Sequence, residues 1–527
     1  MRQTPISRRA VLGAALAMPA LRSARAEAVA RLRLIHLNDL HARHEAVGAS
    51  GAACDPARGA CFGGSARIAA AIGAARAEAE ATGRGTLMLD AGDQFMGSLF
   101  NTLHRGAVEV AVQNAQGCEA MAPGNHEFNH GPETLARFAA AARFPLLSAN
   151  IDAREEPALA GRLRPSASFE RGGGRVVVIG VTTPDTPAVS SPGPRLRFTD
   201  PAEAAARAIA EARRDGPAMV VVLSHLGLPA DVRLAQAVPG VDVIVGGHSH
   251  TLLADLPGAL GPAPTLVDGP DRAVRIVQAG ALGRYLGRLD LDLAADGRVV
   301  AHAGGVREMT TDLAEDPRVA GIVAGFAATL AEMRTRVVGR LPAELPLDCR
   351  ARECALGNLV ADAMLAAAPD AEVALANAGG LRAPLRAGDV TFGDVLAVLP
   401  FGNALATAAL RGADLRAAIE NGLSQPLAGR FPQVAGIRFA WDAAAPAGSR
   451  LGPVEVRRAG RWEALEPERV YRVVTNDFLR RGGDGYAVLR DAALEAYDNG
   501  PLLEEVVAGF LAGGVRAEVE GRILSQI

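Results

Sequence analysis

The feature that most constrains the fold of this chain is a series of short apolar runs, rich in Val, Ile and Leu, in its first half. These runs are residues 31–37, 86–90, 176–181, 218–223 and 241–245. Such runs are typical of β-strands that are buried on both faces. The Ala-, Arg- and Glu-rich segments between them predict helices, one of which begins with Asp200 as N-cap and Pro201 at the first helical position. The first half is therefore predicted to be an α/β layered domain.

Polar side chains with metal-binding chemistry follow these strands closely. In the turn at residues 121–131, Gly124 is predicted to let the backbone bend, so that Asn125 and His126 project beyond the sheet. Loops at the carboxyl ends of strands converge in open α/β sheets, so we expect the polar side chains to meet there. The candidate metal ligands are Asp39, His41, Asp93, Asn125, His225, His248 and His250.

The chemistry of these donors indicates the kind of metal. Imidazoles mixed with carboxylates and an amide suit Zn, Mn or Fe, whereas Mg and Ca prefer mostly oxygen ligands. There are too many donors for one tetrahedral ion, and two ions that share a carboxylate would use them all. The sequence therefore predicts two divalent ions, Zn, Mn or similar. Because no histidine follows His302, a site rich in imidazoles must lie in the first half.

The length of 527 residues is enough for two or three domains. Asp316 and Pro317 predict the start of a helix whose apolar residues recur at helical spacing, and we interpret it as a connector. The predicted division is a first domain over residues 27–315, a linker helix over 316–338 and a second domain over 339–527.

Residues 1–26 are predicted to be a signal peptide outside the fold. Two arginines at positions 8–9 precede an apolar run at 10–20 and a small-x-small cleavage site at 24–26, a pattern typical of twin-arginine export. The general secretory route and an uncleaved anchor are the alternatives, although the run is short for a membrane span. Residues 524–527 carry no apolar tail. We therefore expect a periplasmic or secreted protein without a membrane anchor after cleavage.

Charge and cysteine content agree with export. Without the signal peptide, 50 of the 55 basic residues remain against 58 acidic ones, so the net charge moves from −3 to −8 and no nucleic-acid partner is expected. Five cysteines suit an oxidising compartment. Cys54 with Cys61, and Cys349 with Cys354, could form local disulfides, which leaves Cys118 as a buried free thiol.

The second half carries candidate ligand-binding residues. Arg350 lies in the small ring that a Cys349–Cys354 disulfide would close, and a guanidinium suits phosphate, although a surface ion pair is the alternative. A glycine-rich turn carries Asn377 and then Arg382. Phe401 and Phe478 occur in glycine-flanked, loop-like settings of a chain that is only 4% aromatic. Either they stack on a planar ligand or they fill a core.

The ordered motifs of the first half resemble the metallophosphoesterase (calcineurin-like) superfamily, and nearly the whole mature chain resembles its secreted 5'-nucleotidase and UDP-sugar hydrolase branch. This resemblance implies an N-terminal four-layer α/β sandwich that a helix joins to a second α/β substrate-binding domain. It implies that Asp39, His41, Asp93 and His250 hold one metal ion. Asp93, Asn125, His225 and His248 would hold the other ion. His126 would be the catalytic histidine beside the scissile phosphate.

Two positions depart from the family pattern. Asn129 stands where the family usually has an aspartate that partners the catalytic histidine, and an amide can orient the ring but supplies no charge. Another acid, such as Glu127, or the neighbouring His130 could take over that role. His250 stands where this branch often has an amide.

The resemblance also assigns roles in the second domain. Arg350, Asn377 and Arg382 would bind the phosphate or the nucleoside, Phe401 and Phe478 would sandwich the base, and Asp484 would accept hydrogen bonds from the ribose hydroxyls. In this family the second domain rotates on its connecting helix, and we place the hinge near residues 336–340.

The function that these features predict is hydrolysis of nucleoside 5'-monophosphates to nucleoside and phosphate, with a small-molecule nucleotide as substrate. UDP-sugar or 2',3'-cyclic nucleotide hydrolysis, the thiosulfohydrolase reaction of sulfur oxidation, and a periplasmic nucleotide-binding protein without turnover are the alternatives. The oligomeric state, the metal and the preferred base stay open.

Overall fold

The computed structural model describes residues 28–48, 54, 60–515 and 517–526. The predicted signal peptide lies outside these residues. Among the helices that the structure describes, none combines the length and the apolar character that a membrane crossing requires.

The first part of the chain alternates strands with helices. Its strands are β1 (Ala30–Leu37), β2 (Val47–Gly48), β3 (Cys61–Phe62), β4 (Gly85–Asp90), β5 (Ala120–Met121), β6 (Leu146–Leu147), β7 (Ile151–Asp152), β8 (Leu163–Arg164), β9 (Ser166–Arg171), β10 (Gly174–Thr182), β11 (Arg197–Phe198), β12 (Met219–His225), β13 (Val243–Gly246), β14 (Thr265–Asp268), β15 (Ala273–Val277), β16 (Tyr285–Leu293) and β17 (Val299–Glu308). Its helices are α1 (Ser65–Ala81), α2 (Leu99–His104), α3 (Ala107–Gln116), α4 (Pro132–Ala141), α5 (Thr186–Val189), α6 (Pro201–Ala212) and α7 (Leu228–Ala237).

Two sheets form the centre of this domain. One has seven strands in the order β17-β16-β1-β4-β5-β6-β8, and the other has six in the order β14-β15-β13-β12-β10-β9. Buried residues of both sheets, such as Leu34, Leu89, Val178 and Val221, form one core between them. The outer faces are covered by helices, with Ile179 and Ile209 in one cluster and Ile35 and Ile72 in another. The four-layer α/β sandwich implied by the resemblance is confirmed.

Parallel pairing brings the carboxyl ends of the central strands to one edge of each sheet. β1 pairs with β4 in parallel, and β12 pairs in parallel with both β10 and β13. All five predicted strands exist, with ends that differ from the prediction by up to two residues. The largest C-terminal difference is at β12, which continues to His225, so this side chain belongs to the strand itself.

Helix α8 (Pro317–Thr335) connects the two parts. Asp316 caps it by accepting a hydrogen bond from the backbone N–H of Val319 at 2.9 Å. Val319 and Val323 pack with Phe100 of the first part, whereas Met333, near the other end, belongs to the core of the second part. The helix is therefore anchored in both cores.

The second part is also α/β. Its strands are β18 (Val337–Leu341), β19 (Val373–Asn377), β20 (Gly388–Thr391), β21 (Leu405–Arg411), β22 (Pro432–Ala435), β23 (Ile437–Asp442), β24 (Leu451–Arg458), β25 (Arg461–Ala464), β26 (Val470–Asn476), β27 (Glu495–Tyr497) and β28 (Ile523–Gln526). Its helices are α9 (Ala355–Ala367), α10 (Phe392–Val398), α11 (Gly412–Leu423), α12 (Asp477–Arg480), α13 (Ala487–Asp491) and α14 (Leu503–Leu511). The largest sheet has the order β22-β19-β26-β21-β27, and a four-stranded sheet has the order β25-β24-β23-β28.

Two disulfides and a hydrogen bond between the two parts add to the contacts of the cores. Cys54 is bonded to Cys61 and Cys349 to Cys354, the two pairings that the sequence left possible, while Cys118 is buried and free. The two parts of the chain also touch directly, because Arg43 Nη2 donates to the carbonyl oxygen of Gly402 at 3.2 Å.

Candidate metal and nucleotide site

The loops that carry the predicted metal ligands have an unusual backbone. Asp39, His41, Asp93, His248 and His250 all adopt positive φ angles, of 51°, 52°, 54°, 72° and 53°. Non-glycine residues rarely adopt this left-handed conformation, and each instance costs about 1–3 kcal/mol. Such strain persists where the surrounding structure imposes it, and here it coincides with the candidate ligands.

The donor atoms of these loops converge on a small volume. His41 Nε2 lies 2.9 Å from His250 Nε2, and His250 Nε2 lies 3.5 Å from Asp39 Oδ1. On the other side, His225 Nε2 lies 3.1 Å from Asp93 Oδ2. Asp93 Oδ2 is also 4.0 Å from His41 Nε2. The carboxylate of Asp93 thus lies between the two groups of donors.

Several of these atoms are buried without a hydrogen-bond partner among the described residues. They are Asp93 Oδ2, Asn125 Oδ1 and Nδ2, His126 Nε2, His225 Nε2 and His248 Nδ1. A buried polar atom that lacks a partner is costly, so a concentration of them at one point calls for a ligand. Nitrogen and oxygen lone pairs facing one another suit divalent cations, and the residues present therefore fit a metal centre.

Hydrogen bonds with backbone groups orient the candidate ligands. The Nδ1 atom of His41 lies 3.2 Å from the carbonyl oxygen of Phe95, and that of His225 lies 2.7 Å from the carbonyl oxygen of Ala91. These bonds turn each Nε2 toward the cluster, as in many metal sites where a backbone carbonyl fixes the imidazole tautomer. The backbone N–H of His248 donates to both oxygens of Asp39 at 3.0 Å.

Burial and charge set the protonation of the imidazoles. Burial lowers the pKa of His41 to about 3 and that of His248 to about 4, so both rings are neutral at pH 7 and available as ligands. Burial also opposes protonation of His225, but the carboxylates of Asp93 and Asp39 outweigh it and raise that pKa to about 10. A cation bound beside His225 would displace this proton.

Gly124 is required for space. A Cβ atom at this position would lie 2.2 Å from Asp93 Oδ1 and 2.7 Å from the His225 ring. Its φ angle is not in the left-handed region, so glycine is required here because a Cβ atom has no space. The turn approaches the cluster closely because it has no side chain here.

Glu127 has a structural role that sequence reasoning missed. Its two carboxylate oxygens accept backbone N–H bonds from Asp93, Gln94, Phe95 and Gly124, at 2.6–3.1 Å. This fully buried carboxylate ties the loop after β4 to the turn after β5. The alternative in which Glu127 partners His126 is therefore wrong.

The partner of His126 is Asn129. The amide Nδ2 of Asn129 lies 3.0 Å from His126 Nδ1, and the hydroxyl of Ser190 donates to Asn129 Oδ1 at 2.6 Å. These contacts hold the His126 ring in place, with its buried Nε2 facing the cluster and without a hydrogen-bond partner among the described residues. His130 does not compensate, since its Nε2 lies 3.1 Å from Asn101 Oδ1.

A second cavity lies in the C-terminal part of the chain. It has a volume of about 760 Å³, and its lining includes all six predicted substrate residues, Arg350, Asn377, Arg382, Phe401, Phe478 and Asp484. Asn377 Nδ2 donates to Asp484 Oδ2 at 2.8 Å. The Arg382 guanidinium lies 5.7 Å from the centre of the Phe401 ring. The ring of Phe478 lies against Gly483, where a Cβ atom would come within 2.5 Å of it.

A cleft between the two parts lies at the metal cluster and shares lining residues with this cavity. The cleft has a volume of about 430 Å³ and is lined by His41, His126 and His250 from the first part. Asn403, Asp477 and Arg481 of the second part line both the cleft and the cavity. We call these three residues the sill. Sequence reasoning missed them, although Asp477 and Arg481 flank Phe478 in the sequence.

Comparison with known proteins defines the class. A family model described as calcineurin-like phosphoesterase matches residues 32–252, and one described as 5'-nucleotidase, C-terminal domain, matches residues 336–491. With the His and Asp cluster, these matches define a metal-dependent phosphoester hydrolase.

Individual relatives identify the family to which the chain belongs within this class of hydrolases. The chain is 35% identical to a 5'-nucleotidase of Diplobatis ommata, over 94% of this chain and 90% of that protein. It is 40% identical to a solved 5'-nucleotidase precursor from Thermus thermophilus, with a TM-score of 0.61 over 94% of this chain and 99% of that one. The NAD nucleotidase of Haemophilus influenzae, 24% identical, shares the fold with a TM-score of 0.81 over 94% of this chain and 99% of that one. The chain belongs to the 5'-nucleotidase family.

Proposed function

We propose that this enzyme hydrolyses nucleoside 5'-monophosphates to nucleoside and phosphate, with two divalent ions, Zn, Mn or similar. The observation that carries the proposal is the cavity lined by Phe401, Phe478 and Asp484, which shares the three residues of the sill with the cleft at the His and Asp cluster. A base bound in the cavity would leave its 5'-phosphate directed toward the cluster.

The proposed ligands fall into two groups that share Asp93. Asp39, His41 and His250 would hold one ion with Asp93, and Asn125, His225 and His248 would hold the other. The shared position of Asp93 Oδ2, 3.1 Å from His225 Nε2 and 4.0 Å from His41 Nε2, supports this division. When bound, such ions polarise phosphoryl oxygens and lower the pKa of water.

His126 would stabilise the charge that develops on the phosphoryl group. In this role its Nε2 would present an N–H donor to the phosphoryl group, while Asn129, 3.0 Å from Nδ1, holds the ring. A preorganised donor of this kind is effective in a buried site. Asn129 would act as a positioning residue that holds the ring in this orientation.

The second part would bind the nucleotide. Phe401 and Phe478 would stack on the base, and the carboxylate of Asp484 would accept from the ribose hydroxyls. Arg350 and Arg382 would contact the phosphate or the nucleoside together with Asn377. The exposed fraction of Phe478, 40%, supports a ligand-binding role, because an aromatic ring that filled a core would be buried.

We further propose that the mature protein is periplasmic or secreted. Both disulfides support an oxidising compartment. We also propose a first domain over residues 27–315, a linker helix over 316–338 and a second domain over 339–527, with a hinge at 336–340. Helix α8 supports it by packing into both cores.

The test is release of phosphate by metal-depleted protein after addition of Mn²⁺ or Zn²⁺, with AMP, UMP, UDP-glucose and 2',3'-cyclic AMP as substrates. The proposal expects the largest kcat/KM for the monophosphates and no turnover in the presence of a chelator. Preferred turnover of UDP-glucose or the cyclic nucleotide would reassign the substrate. Tight nucleotide binding without phosphate release would instead make this a binding protein.

A further inference from the structure

Arg481 occupies a position that no other described cation shares. The cavity of the second part is lined by Arg350, Arg382 and Arg481, and the cleft at the metal cluster is lined by Arg43, Arg284 and Arg481. Arg481 alone among these lines both spaces. A nucleotide with its base in the cavity and its phosphate at the cluster must pass this side chain.

The guanidinium of Arg481 has unused hydrogen-bond donors. The nearest carboxylate oxygens belong to Asp477, at 3.6 Å, and Asp498, at 4.0 Å, both beyond hydrogen-bond distance. No other described group accepts a hydrogen bond from it. Its side chain is 50% exposed, on the cleft.

Each neighbouring acid has its Oδ2 nearest to Arg481 and binds another group through its Oδ1. Asp477 Oδ1 accepts the backbone N–H of Ala404 at 3.1 Å, and Asp498 Oδ1 accepts from Nε of Arg480 at 2.8 Å. Arg480 is correspondingly well bonded, with a further 2.8 Å bond to the carbonyl oxygen of Leu489 and a side chain only 14% exposed. Of the two adjacent arginines, Arg480 holds the loop in place and Arg481 is left with free donors.

Arg481 also shares the cleft with candidate metal ligands. His250 and Arg481 line the same cleft. The second part of the chain thus contributes a cation to the cleft in which the metal cluster lies.

We infer, on the basis of the function proposed above, that Arg481 binds the phosphate group of the substrate at the sill and guides it to the His41 and His250 side of the cluster. A guanidinium presents parallel N–H donors that match two phosphate oxygens, and a charge-assisted bond of this kind is strong. Arg481 adds a third cation to Arg350 and Arg382 of the second part. Because it also lines the cleft at the cluster of the first part, the affinity for phosphate depends on both parts of the chain.

The test compares Arg481→Gln with Arg490→Gln in the full-length, Mn²⁺-loaded protein. Arg490 lies nearby on α13, pairs with Asp491 on the surface and lines neither space, so it is a matched control. Binding of inorganic phosphate and of adenosine is measured separately by titration calorimetry. Arg481→Gln is expected to weaken phosphate binding by about tenfold or more, since hydrogen bonds to charged groups are worth that much, and to leave adenosine binding unchanged. Arg481→Lys should recover part of the loss.

Two results would overturn the inference. One is phosphate affinity in Arg481→Gln equal to that of the wild type and of Arg490→Gln. The other is an equal loss of adenosine and phosphate binding, which would mean that the substitution only disrupts the loop. These measurements need no turnover. A wild-type protein that binds phosphate through Arg481 but releases none from AMP would refute the proposed function and leave the phosphate contact standing.

Discussion

Substitution of Gly124 by alanine is expected to disable the metal cluster without unfolding the protein. The added Cβ atom would lie 2.2 Å from Asp93 Oδ1, whereas ordinary contacts begin near 3.4 Å, so the carboxylate or the turn must move by about 1 Å. Asp93 is the proposed shared ligand. A misplacement of about 1 Å in a catalytic geometry can cost about 100-fold in rate, and we expect a loss of that order in kcat/KM.

The assay for Gly124→Ala is hydrolysis of AMP and of p-nitrophenyl phosphate with saturating Mn²⁺, together with bound metal and the melting temperature. Gly73→Ala, within α1, is the control, because a Cβ atom at Gly73 meets nothing within 4 Å and alanine is favoured in a helix interior. It should keep full activity with equal or higher stability. Activity and metal content of Gly124→Ala within twofold of the wild type would refute the packing explanation.

Four further substitutions test separate elements of the site. Asp93→Asn is expected to release both metal ions after dialysis and to abolish most activity, because one carboxylate serves both groups; retention of both ions would contradict this. Phe401→Ala and Phe478→Ala should each raise KM for AMP by the equivalent of about 1–3 kcal/mol of lost stacking. Turnover of p-nitrophenyl phosphate, which has no base, should change little, and equal losses on both substrates would rule out the sandwich. Asn129→Asp should move the alkaline limb of kcat/KM to higher pH, because burial lowers the pKa of His126 and a carboxylate beside Nδ1 would stabilise the imidazolium and raise it. An unmoved limb would leave Asn129 as a turn residue only.

Local patterns in the sequence predicted the strands and the polar residues that follow them. An apolar run that ends in His or Asp is visible without long-range information, and this is why Asp39, His225 and His248 could be grouped before their distances were known. Clustering followed from parallel pairing, since carboxyl ends of parallel strands lie at the same edge.

The division of those strands between two sheets could not be read from the sequence. β1 and β4 belong to one sheet and β10, β12 and β13 to the other, but all five are buried Val-, Ile- and Leu-rich runs. Burial on both faces gives a strand the same composition whether its second face meets a helix or another sheet. The pairing partner is set by contacts between distant segments.

The contacts that tune the site are equally non-local. Ser190 fixes the Asn129 amide from 61 positions away, and Glu127 binds backbone N–H groups more than 30 positions before it as well as one in its own turn. Neither contact has a spacing signature. Arg481 looked like its neighbour Arg480 in the sequence, and only the bonds made by Arg480 distinguish them.

The central claim is most directly tested by titrating the metal-depleted, full-length protein with Mn²⁺ while both bound metal and phosphate release from AMP are measured. The arrangement of Asp93 between two groups of donors predicts that activity reaches its maximum at two ions per chain and is lost when a chelator removes them. Full activity at one ion per chain, or in the presence of excess chelator, would contradict it.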